Sequence, residues 1–134
     1  MYLVDTNIFL EVLLCQAKAE ECKNFLKELA NGKKTGIISD FTVHSIIVIM
    51  SNLSKAKELK VFLSSLSAYK GLHIAQTNLE QEITAVDIAL AQKIDMDDAL
   101  QYAVALSLNV QAIISYDHHF NNLKVPRQTP NQTI

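Results

Sequence analysis

Tryptophan is absent from this chain, and its 134 residues include only three glycines, two prolines and two cysteines. So little glycine and proline excludes a collagen-like repeat, a low-complexity tract and a loop-dominated scaffold. Two cysteines cannot staple a small secreted fold. Cys15 and Cys22, seven positions apart, match neither a zinc knuckle nor a CxxC redox pair. They read as reduced thiols packed on helices, which points to the cytoplasm. Charge of one sign is lacking too: 12 basic residues face 14 acidic ones, for a net charge of -2. No global attraction to nucleic acid follows, and such a partner would need a local basic patch. The longest apolar stretch, around Ile46 to Met50, is far too short to span a bilayer, so no membrane association is expected. The first residues show no basic segment followed by an apolar core and cleavage site, so no signal peptide is expected.

What is present is apolar substance, 49% of the residues, enough for one compact domain over residues 1–134 with a real core. The chain opens Tyr2-Leu3-Val4-Asp5-Thr6-Asn7-Ile8-Phe9-Leu10. The first apolar run is too short for a helix and suits a buried parallel strand. Thr6 and Asn7 then start a helix carried by Ile8, Phe9, Leu10, Val12 and Leu13. Helical spacing recurs over Ala17 to Ala30, closed by Asn31-Gly32, and over Phe41 to Leu53, capped by Ser39-Asp40. The second of these is apolar nearly all round, which predicts burial against the sheet and against a second copy of the chain. Further helices are expected from Ser54 to about Tyr69 and from a Thr77…Glu80 capping box to about Lys93. Val61, Phe62, Leu63 and Leu66 should face inward on the former, and Ile83, Val86, Ile88, Ala89 and Leu90 on the latter. A last helix opens at Asp95-Met96-Asp97-Asp98 and ends at Asn109. Between them lie short apolar segments at Thr35–Ile38, Leu72–Ala75 and Ala112–Ser115. Strands alternating with helices predict an α/β class: a single-domain three-layer α/β/α sandwich with a short, mainly parallel sheet. The stretch from about 126 to 134 reads as a polar C-terminal surface extension.

Three acids stand at edges of elements. Asp5 ends the first strand, Asp117 lies just beyond the last one, and Asp98 sits in the first turn of a helix beside Asp95 and Asp97. In open α/β sheets ligands bind at the carboxyl ends of the strands. Acids gathered there repel each other unless a hard divalent cation keeps them ionised. Such a centre performs metal-assisted phosphodiester hydrolysis. Each acid also has a structural reading: Asp97 or Asp98 as a helix cap, Asp117 as a turn residue. Asp5 fits that reading least, because it interrupts an apolar buried run.

The pieces Asp5-Thr6-Asn7, Ser39 to Ser45, Asp98-Ala99-Leu100 and Ser115-Tyr116-Asp117-His118-His119-Phe120 resemble, in order, the motifs of the PIN domain family. Those motifs are a DTN-like start, S-x-x-T-x-x-E, a D-A-(L/I) helix start and (T/S)-x-D-x-x-F. The resemblance covers essentially the whole chain. It implies a Mg²⁺- or Mn²⁺-dependent ribonuclease, in many members a VapC-type toxin paired with an antitoxin protein. It also implies Asp5, Asp98 and Asp117 as metal ligands and catalytic residues, with Thr6, Asn7 and Ser115 supporting them. One position departs: where the family carries its second acid, this chain has Ser45, a neutral and poor ligand for a hard dication. Asp40, Asp95 and Asp97 are the candidates to compensate. The resemblance leaves an alternative, a catalytically weak or inactive module that binds RNA or protein. A phosphoacceptor domain on a similar sheet lacks support, since position 7 is Asn and no D-x-D follows strand one.

His118 and His119 read as surface or loop-packing side chains, with RNA phosphate as the alternative partner. His44 reads as a core or interface group. Lys55, Lys57 and Lys60, like Lys33-Lys34 and Lys124 with Arg127, either line a phosphate backbone or form solvated faces. RNA, an antitoxin and a second copy of the chain are the expected partners.

Overall fold

A computed structural model describes residues 1–133. The strands are β1 (Tyr2–Val4), β2 (Gly36–Ser39), β3 (Leu72–Ala75), β4 (Ala112–Ile114) and β5 (Arg127–Gln128). The helices are α1 (Thr6–Leu13), α2 (Ala19–Ala30), α3 (Asp40–Asn52), α4 (Ala56–Leu66), α5 (Leu79–Gln92) and α6 (Met96–Ser107). All five strands join one sheet in the order β3-β2-β1-β4-β5, and every pairing is parallel. The chain runs outward from β1 through β2 and β3, then returns to place β4 on the other side of β1. The order reverses between β1 and β4, so the crevice for a ligand opens at their carboxyl ends.

Period-two alternation in these strands builds the three layers. Val4, Ile38 and Ile114 point into a core shared with Ile8 and Phe9 of α1, Phe25 and Leu29 of α2, Ile46 and Met50 of α3, and Phe62 of α4. Their neighbours Leu3, Ile37 and Ile113 point the other way, onto Tyr102, Val104 and Ala105 of α6 and Phe120. Strands buried on both faces must be apolar, and the central pair β1 and β4 are apolar throughout.

Four local expectations are corrected. Residues 127–133 are not a surface extension; Ile134 lies outside the described residues. Arg127 and Gln128 pair with Ile113 and Ile114, and Pro130 and Thr133 are buried. The capping box sits one residue later than Thr77…Glu80. Asn78 accepts from the Gln81 amide while the Gln81 side chain accepts from Asn78 N–H, and Thr77 instead turns to Asp40. On α5, Ala85 is the buried residue, with Ile88 and Ala89 against α6. Small side chains let the two helices approach, and that face leaves Leu79, Ile83, Val86 and Leu90 exposed. Val61 on α4 is likewise exposed, as is Val48 on α3.

Candidate metal centre

Asp5 follows the last residue of β1 and takes the N-cap position of α1, yet its side chain makes no cap bond. The carboxylate turns inward instead and is buried. Ser115 Oγ donates to its Oδ2 at 2.7 Å, and Gln101 Nε2 donates to its Oδ1 at 3.0 Å. Burial raises the Asp5 pKa, and the Ser115 and Gln101 hydrogen bonds oppose that rise. The Ser115 hydroxyl also accepts from Asp117 N–H at 2.9 Å, so one side chain positions both the first and the last acid.

Asp98 reaches the same place from the first turn of α6, where the dipole and the free N–H groups tolerate a buried charge. Its partner is His119 Nδ1, 3.1 Å from Oδ2. The same nitrogen lies 3.3 Å from Asp117 Oδ1, and His119 N–H donates to that oxygen at 2.8 Å. Asp117 therefore serves as the turn residue before the 3-10 turn at His118–Phe120 while its carboxylate faces Asp98. Burial above all, with the charges of Asp117, Asp97 and Asp5, pushes the Asp98 carboxyl up to about 7 against the His119 hydrogen bond. His119 is held protonated to higher pH by that hydrogen bond to Asp98 and by the charge of Asp117. Each of the two groups thus gives up its proton at a higher pH than it would alone.

One cavity of about 230 Å³ collects these groups. It is lined by Asp5, Thr6, Asn7, Phe41, Ser45, Ile49, Asp95, Asp97, Asp98, Gln101, Asp117 and His119. Asp98, Asp117 and His119 present ligand atoms within 4.8 Å of one another, and so do Asp95, Asp97 and Asp98. Carboxylates brought this close repel one another, and a divalent cation would relieve that repulsion and keep them ionised. A further sign of fit is Gln101 Oε1, the buried side-chain oxygen left without a partner among the described residues.

The sequence-derived site residues fall in two places. Asp5, Asp98, Asp117, Thr6, Asn7, Ser45, Asp95 and Asp97 share the cavity, and Ser115 lies behind Asp5. Thr6 Oγ1 donates to Thr42 Oγ1 at 3.2 Å, locking α1 to α3 beside it. Asp40 is not among them. Its Oδ1 accepts from Phe41 N–H, Thr77 N–H and Thr77 Oγ1, pinning the start of α3 to the loop before α5. It lines a neighbouring cavity of about 580 Å³ with His44 and Val86. His44 is exposed there rather than in the core. Glu82 and Asp97 also border that larger volume, but Asp5, Asp98 and Asp117 converge only in the smaller one. Two site residues escaped the sequence reading. Gln101 stands three residues after Asp98 on α6, the spacing that puts side chains on one face. His119 follows Asp117 by two in a turn whose geometry no periodicity reveals. His118 does point to the surface, against Asn121. Arg127 and Lys34 are engaged within the fold, with Ser115 O and with Glu28 and Thr133.

The family model of the PIN domain matches residues 2–126. The chain belongs to the PIN domain family. Solved structures agree on the fold. A toxin–antitoxin complex from Klebsiella pneumoniae is 20% identical over 97% of this chain and 98% of that one, with a TM-score of 0.71. VapC20 of Mycobacterium tuberculosis, a toxin that cleaves the sarcin–ricin loop, is 13% identical over 87% and 90%, at 0.71. VapBC2 from Rickettsia felis, bound to a DNA fragment from its promoter, is 17% identical over 96% and 97%, at 0.70. At such identities the likeness is one of fold. No curated protein matches the sequence. PIN domains are generally metal-dependent nucleases, and the acids of this PIN domain form a cluster that could hold a divalent cation.

Proposed function

We propose that this PIN domain is an endoribonuclease that hydrolyses RNA phosphodiester bonds with Mg²⁺ or Mn²⁺, and is the toxin of a toxin–antitoxin pair. The observation that carries the reading is the convergence of Asp5, Asp98 and Asp117 from three separate elements into one cavity at the carboxyl edge of the sheet. Those carboxylates would hold the cation. Bound there, it supplies Lewis-acid polarisation of a phosphoryl oxygen and acidifies a water. The chain's own groups do the rest. Ser115 and Gln101 fix both oxygens of Asp5, and Ser115 orients Asp117 through its backbone. His119, half-exposed at the mouth of the site, sets its Nδ1 3.1 Å from Asp98 Oδ2 and 3.3 Å from Asp117 Oδ1 and orients both acids. An acidic cavity repels a polyanion by itself, so RNA enters only with a cation already neutralising the acids.

The likeness in fold to a toxin–antitoxin complex supports an antitoxin partner. Exposed Val48, Leu79, Ile83, Val86 and Leu90 support a homodimer. The reduced thiols Cys15 and Cys22, which form no disulfide, fit a cytoplasmic place. The Ser45 hydroxyl in the cavity, where the family carries a carboxylate, favours a second reading: a weak or inactive RNA- or protein-binding module. Cleavage of single-stranded RNA in Mn²⁺ decides between them. The enzyme reading expects the native protein to cut at least tenfold faster than Asp5→Asn, since losing even a group that supports a metal ligand costs roughly 10- to 100-fold. Equal rates leave the binding module.

A further inference from the structure

Gln101 has two polar atoms, and the fold accounts for one. The side chain is 3% exposed, and its Nε2 donates to Asp5 Oδ1 at 3.0 Å. That bond fixes the amide's orientation, because a carboxylate can only accept and the amide nitrogen can only donate. Oε1 is therefore turned elsewhere, and it is buried with no donor within reach among the described residues. A buried acceptor left unpaired carries its full desolvation cost, and native folds rarely tolerate one without a use for it. Gln101 lines the acidic cavity with Asp5 and Asp98. No lysine or arginine does, and none of the donors that line it (Thr6, Asn7, Ser45, His119) bonds Oε1, which leaves that oxygen open to a cation.

Resting on the metal-dependent reading above, we propose that Gln101 belongs to the cation site itself. Its Nε2 holds Asp5 in place, and its Oε1 offers the neutral oxygen donor that completes a set otherwise made of Asp5, Asp98 and Asp117. Amide carbonyls are ordinary ligands for hard divalent cations. Ser45 brings only a hydroxyl to the cavity, so α6 contributes through Gln101 a donor that α3 does not. One helix then supplies both Asp98 and its neighbour one turn on, with the spacing that lets two side chains converge on one point. A water trapped against Oε1 would satisfy the atom without any role in metal binding, and the test separates the two.

The probe is Mn²⁺ alone, titrated by electron paramagnetic resonance and calorimetry into the full chain, with circular dichroism to establish that each variant is folded. Gln101→Leu and Gln101→Met should weaken Mn²⁺ binding about 10- to 100-fold, the range for losing a supporting group of a metal site. Gln101→Glu discriminates further. It keeps an oxygen at the same place but loses the N–H donor to Asp5. If Oε1 binds the cation, Gln101→Glu holds Mn²⁺ at least tenfold more tightly than Gln101→Leu. A Gln101→Glu affinity equal to or below that of Gln101→Leu assigns the residue to holding Asp5 alone and overturns the ligand role. Unchanged affinity in Gln101→Leu overturns any role and leaves a trapped water, with the metal-dependent reading intact. No uptake by the native protein at millimolar Mn²⁺ overturns that reading and this inference together.

Discussion

Ser115 Oγ donates to Asp5 Oδ2 at 2.7 Å although 110 positions separate the two residues in sequence. The bond exists because β1 and β4 lie side by side, with Val4 opposite Ile114, so the next residue of each strand meets at the switch point. Ser115 is fully buried and also accepts from Asp117 N–H. Replacing it with Ala deprives a buried carboxylate of its donor and a backbone N–H of its acceptor. Ser115→Ala should therefore cost about 1–3 kcal/mol in urea unfolding at neutral pH. It should also raise the Asp5 pKa further, seen by NMR titration of its carboxyl carbon. Unaltered stability and titration would mean the hydroxyl is a bystander.

How much of this was legible in the residues follows from what each signal needs. Asp5 was visible because a charge in an apolar run has no cheap explanation, and the alternation of strands and helices forces parallel crossovers. The layer logic followed from apolar strands alone. What could not be read is what depends on orientation or on backbone pairing. β5 is two polar residues held by main-chain bonds, so no side-chain pattern announces it. Gln101 is neutral and common inside helices, and its meaning appears only when Asp5 is beside it. His119 and His118 look alike in sequence; the 3-10 turn sends one to Asp98 and the other to solvent. The exposed stripe on α5 was read as inward because an apolar helical face normally is, whereas Ala85 and Ala89 supply the closer packing.

Gly71 gives a test of the fold independent of the acids. A Cβ built there would stand 2.0 Å from Lys34 O and 2.9 Å from Leu29 O, both rigid backbone. The same residue joins the end of α2 to the start of β2, donating to Leu29 O and accepting from Gly36 N–H. Neither side can yield without breaking those bonds. Gly71→Ala should destabilise by at least about 2–4 kcal/mol, at the severe end for a single substitution, measured by chemical denaturation. A loss within about 0.5 kcal/mol would show that the contact relaxes freely.

The pH dependence of the metal-free protein has a definite sign. Asp98 titrates at about 7 when folded against 3.8 otherwise. The folded state therefore binds more protons than the unfolded one between these values, and stability falls as pH rises through that window. His119 is also raised, from 6.5, so its contribution is complete below 6.5 and disappears as pH climbs through its folded value. Both act in one direction. Melting in a chelator should be highest in mild acid and decline toward about pH 8. Mn²⁺ binding needs the deprotonated acids, so the rise in Tm on adding Mn²⁺ should grow over the same range. A flat or rising chelator profile would contradict the assigned shifts.

Asp98→Asn separates what the acid costs the fold from what it does for the site. Its side chain is largely enclosed, with a relative exposure of 10%, and lies among Asp5, Asp97 and Asp117, all of which oppose its ionisation. The amide is nearly the same shape and carries no charge. At about pH 8 the native Asp98 is ionised, and the substitution removes a repulsion that each unit of pKa shift values at about 1.4 kcal/mol. The metal-free variant should therefore be more stable than the native protein by at least about 1 kcal/mol, since the lost pair with half-exposed His119 is worth little. His119 should in turn lose its upward shift and titrate nearer an ordinary imidazole in ¹H–¹³C spectra. The same variant should lose Mn²⁺ binding and, with it, RNA cleavage. Greater stability together with lost function is the mark of a residue kept for its site at the expense of the fold. A variant that is less stable in the absence of metal, or that binds Mn²⁺ as before, would place Asp98 among the structural caps instead.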